Sequence, residues 1–313
     1  MKYFKYLALL LAVPISVSGA PQKSTGPGPA ALKTFLEHEG YGGSPLQRRF
    51  GNHLFVNTLM NGRRTALMVD TGCPFTLLDR GSARKIGIGV AETKSYLVGV
   101  LGDAQHYGVS NLSSLAMGNC TFNNVPVSVA DESDINEYSR PHLDGLFGAH
   151  EMAKFGMIVD CTRQMIYANP KGSSAATSQK LAQFLIGRGF TRIPMRFNKE
   201  NHPQIDGTVN GHPTQMVVDT GSFVTLLSSP AAASFGATFA PQFSKDGQGI
   251  AHVELGFGNL VVNNAEVIVG KVAKMVGSGL LGEDCLSWNF GIVDFAGMNL
   301  YLRPPESTSR KNR

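Results

Sequence analysis

The chain repeats itself. Between positions 32 and 87, residues recur at a constant offset of 149. Leu32, Phe35, Leu36 and Gly40 answer Leu181, Phe184, Leu185 and Gly189, and Asn52-His53 answers Asn201-His202. Asn61-Gly62 answers Asn210-Gly211, Val69-Asp70-Thr71-Gly72 answers Val218-Asp219-Thr220-Gly221, and Thr76-Leu77-Leu78 answers Thr225-Leu226-Leu227. The offset then falls to 134, where Leu146-Phe147-Gly148 matches Leu280-Leu281-Gly282 and Ile158-Val159-Asp160 matches Ile292-Val293-Asp294. The first copy is therefore 15 residues longer, with its insertions after the Asp-Thr-Gly triplet. Half of 313 residues is enough chain for a core of its own, so the duplication points to two homologous lobes.

Each copy opens with apolar residues at helical spacing (Ala31, Leu32, Phe35, Leu36; then Leu181, Phe184, Leu185), and Gly40 and Gly189 stand where a helix C-cap falls. Short β-type runs follow, such as Ala66-Leu67-Met68-Val69 and Met216-Val217-Val218, separated by Gly, Asn and Asp turns. The reading is an all-β chain of two homologous lobes about a pseudo-two-fold axis, each preceded by a short helix. Its expected divisions are a signal peptide at 1–20, a disordered linker at 21–30, an N-terminal lobe at 31–171, a linker at 172–179, a C-terminal lobe at 180–304 and a tail at 305–313.

Residues 1–20 carry Lys2 and Lys5, a short apolar run ended by Pro14, and small residues before position 21, the pattern of a secretory signal. The expected location is secreted or periplasmic, with no stable membrane insertion after signal cleavage. The four cysteines allow three pairings, which sequence leaves open. Glycine, at 36 residues, lacks a collagen period and suits a turn-rich β protein. The net charge of +5 is scattered rather than gathered into a stripe, so no nucleic-acid partner is expected. No P-loop, Gly-x-Ser-x-Gly elbow or dinucleotide glycine pattern is present, and neither His38-Glu39 nor His150-Glu151 has a second histidine at zinc-protease spacing. His53 and His202, which recur without a third ligand, read as structural, as do Asp160 and Asp294 in turns after strands. No cofactor and no metal is expected.

An isologous contact brings the same element of each lobe to the axis, and the shared element that carries chemistry is Asp-Thr-Gly. Two carboxylates meeting there cannot both ionise; they share a proton and titrate as a unit. One can then act as general base on a water while the other donates to a carbonyl oxygen. Gly72 and Gly221 permit a tight turn and close approach, and the Thr71 and Thr220 hydroxyls are placed to cross-link the two loops.

On these residues the chain resembles the aspartic peptidases, specifically the retropepsin-like group of secreted bacterial type with two tandem lobes. Asp-Thr-Gly-x-x-x-Thr occurs at Asp70 to Thr76 and at Asp219 to Thr225, and each copy has its apolar-apolar-Gly partner at Gly148 or Gly282. The resemblance covers about residues 46–170 and 195–303. It implies catalysis by Asp70 and Asp219, with active-site support from Thr71, Gly72, Thr220 and Gly221. It also implies a substrate-binding flap at Gly99, Val100, Leu101 and Gly102; the shorter, polar Asp246-Gly247-Gln248-Gly249 holds the comparable place in the second copy. The implied activity is an aspartic endopeptidase acting on polypeptide substrates as a monomer, an intramolecular pseudo-dimer. The alternative is a non-catalytic peptide-binding pseudoprotease; hydrolysis of a non-protein amide is a third reading. Cys73 departs from the family's usual Ala or Ser, while its counterpart is Ser222. A thiol is the weaker donor, so unequal support of the two aspartates is expected.

Overall fold

The computed structural model describes residues 29–99, 104–132, 142–245, 247–273 and 276–305. The expected signal peptide and most of the expected linker at 21–30 lie outside these residues.

The two copies meet in one six-stranded antiparallel sheet. Its order is β1 (Gly42–Arg48), β10 (Met165–Ala168), β9 (Ile158–Asp160), β19 (Ile292–Asp294), β20 (Asn299–Leu302) and β11 (Thr191–Phe197). The order is palindromic. The axis passes between Val159 and Val293, which face each other in register, and Cys161 N–H to Gly291 O (3.0 Å) is answered by Phe295 N–H to Met157 O (2.9 Å).

Alternation along these strands sends their side chains to two cores. Ile158, Tyr167, Ile292 and Tyr301 face helices α1 (Pro29–His38) and α4 (Ala175–Ile186), which bury Leu32, Leu36, Leu181 and Leu185 against them. The Phe35 and Phe184 rings stack at 4.5 Å where the two helices meet. Val159, Ile166, Val293 and Leu300 face the opposite way, into a core continuous through both lobes. Gly40 and Gly189 take φ of +88° and +81°, the left-handed turn that ends each helix. Helix α4 starts earlier than its apolar pattern suggests. Ala175 to Gln179, within the stretch read as linker, form its first turns, capped by Ser174 Oγ accepting from Thr177 N–H at 3.1 Å.

From this base each lobe rises as a mostly antiparallel sheet. In the N-terminal lobe β2 (Leu54–Met60) and β3 (Arg63–Val69) form a hairpin, and in the C-terminal lobe β12 (Pro203–Val209) and β13 (His212–Val218) do so. Both turn through Asn-Gly with positive φ at both residues, the geometry that matches strand twist. The strand leaving each Asp-Thr-Gly loop is β4 (Leu77–Asp79) or β14 (Leu226–Ser228). Between incoming and outgoing strands lies β8 (Gly145–Phe147) or β18 (Gly279–Leu281), parallel to the first and antiparallel to the second. The chain therefore crosses itself just past β8 and β18, which explains the apolar-apolar-Gly signature. A Cβ on Gly148 would collide with the Phe75 backbone, and one on Gly282 with that of Val224.

Candidate active site

The crossing puts Asp70 and Asp219 at the ends of β3 and β13, and Asp70 N–H and Asp219 N–H each donate to the neighbouring strand, at Phe147 O and Leu281 O (3.0 Å each). Across the axis the two loops are laced by a reciprocal set of bonds. Thr71 Oγ1 donates to Val218 O (2.6 Å) and Thr220 Oγ1 to Val69 O (2.7 Å). Thr220 N–H donates to Thr71 Oγ1 (3.0 Å) and Thr71 N–H to Thr220 Oγ1 (3.1 Å). Both threonines are fully buried, so every donor and acceptor in the set is satisfied away from water.

The lacing presses each glycine onto the opposite carboxyl group. A Cβ on Gly72 would overlap Asp219, and one on Gly221 would overlap Asp70. The two carboxyl groups thus face each other across the axis, close enough to shift each other's titration. Burial, and then the facing Asp219 carboxylate, push Asp70 well above the usual carboxylate range. Burial also raises Asp219, but the N–H groups of Gly221 and Ser222, the Asp70 carboxyl and the His202 imidazole pull it back. With one shared proton the pair titrates as a unit, and the two backbone N–H groups on Asp219 Oδ1, against one on Asp70 Oδ1, favour the negative charge on Asp219.

The sequence attributes unequal support to Cys73 against Ser222; the structure relocates the cause. Neither side chain bonds a carboxylate. Cys73 Sγ donates to Phe75 O (3.1 Å) and Ser222 Oγ to Val224 O (2.7 Å), each closing its own loop. The difference lies in the backbone: Asp219 Oδ1 accepts from Gly221 N–H (2.9 Å) and Ser222 N–H (3.2 Å), while Asp70 Oδ1 accepts from Cys73 N–H (2.9 Å). All four cysteines are free thiols.

Apolar clusters flank the pair. Met68, two residues before Asp70, packs with Phe55, Leu77 and Leu146, and partly buried Cys73 and Leu97 join them. Val217, two before Asp219, packs with Leu226, Val276 and Leu280. Leu97 belongs to a hairpin of β5 (Ala91–Val98) and β6 (Ala104–Met117), in register up to Val98 opposite Ala104. Of the expected flap, Gly99 follows β5, while Val100, Leu101 and Gly102 lie outside the described residues. In the other lobe β15 (Thr238–Lys245) and β16 (Gln248–Phe257) stay paired to Lys245 opposite Gln248, a shorter connection.

Some supporting residues escape sequence reading. Thr76 N–H donates to Glu151 (2.7 Å), and Thr225 donates through N–H (3.0 Å) and Oγ1 (2.8 Å) to Asp284. These acids stand at non-equivalent positions just after each apolar-apolar-Gly, which is the signal that could have found them. Arg48, beside the axis, donates through Nη2 to Glu283 Oε1 (3.0 Å), Cys161 O (2.7 Å) and Ser287 Oγ (2.9 Å), joining the lobes. Among the described residues no group of three or more His, Cys, Asp or Glu is arranged to hold a metal ion, and no helix is long and apolar enough to cross a membrane. Asp160 and Asp294 hold the turns after their strands, accepting from Arg163 N–H and Gly297 N–H (2.9 Å each).

The aspartyl protease family model matches residues 56–150 and 205–285, one segment in each lobe and together more than half of the chain. The chain belongs to the aspartyl protease family. Among solved structures, basic 7S globulin from soybean superposes with a TM-score of 0.54 at 12% identity, over 84% of this chain and 95% of that one. Conglutin gamma from lupine seeds gives 0.51 at 12% identity over 84% and 95%, and the aspartic proteinase from Irpex lacteus gives 0.50 at 12% over 87% and 100%. At that identity these likenesses speak for the two-lobed, retropepsin-like fold. No curated protein sequence matches the chain.

Proposed function

We propose that this aspartyl protease family member is an endopeptidase whose catalytic pair is Asp70 and Asp219. The observation that carries the reading is the close juxtaposition of two carboxyl groups, each pressed against the glycine that follows the other's loop threonine, in loops held by reciprocal threonine bonds. Ionised Asp219 takes a proton from a water lying between the carboxyls as its oxygen attacks the peptide carbonyl carbon, and Asp70 gives its proton to the carbonyl oxygen. Collapse of the resulting gem-diol breaks the C–N bond: Asp219 gives its newly gained proton to the departing amine while Asp70 takes one back from a gem-diol hydroxyl, which becomes the new carbonyl oxygen. Flanking apolar clusters around Met68 and Val217 would receive side chains on either side of the scissile bond. Thr71, Gly72, Thr220 and Gly221 support the pair, and the β5–β6 hairpin would cover the substrate. The reading includes export from the cytoplasm and action as a monomer on polypeptides.

The test is digestion of a mixed peptide library from pH 3 to 8. Wild type should cleave and be blocked by a statine-type peptide. Asp70→Asn or Asp219→Asn alone should lower kcat by about 10³-fold or more, the upper range for a lost acid–base group, with Tm unchanged or raised as carboxylate repulsion is relieved. Peptide binding without cleavage in the wild type would instead identify the non-catalytic binder.

A further inference from the structure

His202 lies just ahead of β12 in the C-terminal lobe, yet its ring reaches the catalytic loop of the N-terminal lobe. Its Nδ1 stands 2.7 Å from Gly72 O. A carbonyl oxygen can only accept, so Nδ1 carries the hydrogen. The ring is buried, and its Nε2 is buried without a partner among the described residues. The turn that carries it is itself fixed: Asn198 Oδ1 accepts from the N–H groups of Glu200 (3.0 Å) and His202 (2.9 Å), and Asn198 N–H donates to His202 O (2.9 Å). The donor is therefore delivered from a rigid platform.

Its target is sensitive. Gly72 is the residue so close to the Asp219 carboxyl that even a Cβ would overlap it. A small displacement of the Gly72 peptide is thus transmitted directly to the spacing between the two carboxyl groups.

The duplication supplies an internal comparison. His53 stands at the equivalent position in the N-terminal lobe, and Arg49 stands where Asn198 would be. Arg49 N–H still donates to His53 O (3.0 Å), but no carboxamide caps the turn. His53 Nδ1 is buried without a partner among the described residues, and its ring meets Phe223 edge-on at 5.9 Å. Among the described residues, only the N-terminal catalytic loop is hydrogen-bonded to an imidazole of the opposite lobe; the C-terminal loop meets His53 by ring contact alone.

We propose that His202 is a positioning residue: by holding the Gly72 carbonyl from the opposite lobe, it sets the separation of Asp70 and Asp219. This rests on the peptidase reading above. His202→Leu removes the donor, whereas His202→Asn places an amide N–H where Nδ1 was. Active sites are counted by titration with the statine-type peptide, so that unfolded protein does not enter kcat. His202→Leu should lose about 10–100-fold in kcat, the scale of a misplacement up to 1 Å, with KM within about twofold. His202→Asn should recover most of that loss, and His53→Leu should stay within about twofold of wild type. An unchanged kcat in His202→Leu, no recovery in His202→Asn, or an equal loss in His53→Leu would each overturn the proposal.

Nitrogen-15 NMR of the wild-type imidazoles gives a readout that needs neither turnover nor a folded variant. His202 should be the Nδ1–H tautomer or the doubly protonated form, and a neutral Nε2–H tautomer would refute it. Absence of cleavage by wild type would remove the peptidase reading and this inference together; a cleaving wild type with an indifferent His202→Leu removes only the latter.

Discussion

The two contacts beside the axis are built at equivalent positions with opposite chemistry. On one side Arg48 binds fully buried Glu283, together with Cys161 O and Ser287. On the other, Phe197 stacks on Phe295 at a centroid distance of 6.5 Å, with Ala149 and Ala153 at the places of Glu283 and Ser287. At the axis itself both copies keep the same Asp, Thr and Gly, because each supplies half of a reciprocal set of bonds and a change in one strands a partner in the other. A short distance away no such reciprocity applies, and each half has solved the same packing problem differently.

Removing the cation should separate the two contacts most sharply. Arg48→Ala leaves a buried carboxylate without its partner and should cost about 3–5 kcal/mol at pH 8. Phe197→Ala, at a residue already 36% exposed, should cost about 1–2 kcal/mol in lost apolar burial. Urea unfolding of both variants checks this, and equal losses would erase the distinction.

The polar contact should also make stability depend on pH. Burial pushes Glu283 up to about 7 from its ordinary 4.5, even with Arg48 pulling it down. Below pH 4.5 both folded and unfolded chains hold this proton. Between 4.5 and 7 the unfolded chain releases it while the folded chain keeps it, so stability falls as pH rises, by about 3 kcal/mol in all, and then levels off. Asp294, raised by burial to about 6, adds to the same slope. Glu283→Gln should flatten the profile of Tm against pH over this window; an unaltered slope would assign it elsewhere.

The axis should respond symmetrically. Thr71→Val and Thr220→Val each strip a buried hydroxyl from two interlobe bonds and should cost about 2–3 kcal/mol apiece. Unequal Tm losses would show that the lacing is less reciprocal than its distances. The smallest effect belongs to Cys73→Ser, which gives the first loop the same donor that Ser222 gives the second. Stability should shift by no more than about 1 kcal/mol, and kcat should hold.

These contrasts also separate what the amino-acid order could disclose. Repeats, the Asn-Gly turns, the helix-ending Gly40 and Gly189, and the doubled Asp-Thr-Gly are local patterns, and each appears where the fold uses it. The base sheet was not legible, since its central pairing joins Ile158–Asp160 to Ile292–Asp294 across 134 positions. The partnership of Arg48 with Glu283 was equally hidden, because the second copy holds Phe197 and the first Ala149 at the matching places. The recurrence of His53 and His202 was visible, but geometry alone distinguishes the one that reaches across.

The symmetry of the base sheet has a consequence for maturation. Helix α1 and strand β1 are the counterparts of α4 and β11, which lie mid-chain and cannot be trimmed away. Leu32, Leu36 and Tyr41 are as firmly embedded as Leu181, Leu185 and Phe190. A processing cut beyond residue 41 would therefore amputate one flank of the foundation rather than uncork a waiting cleft, and any segment shed on activation should end ahead of Leu32.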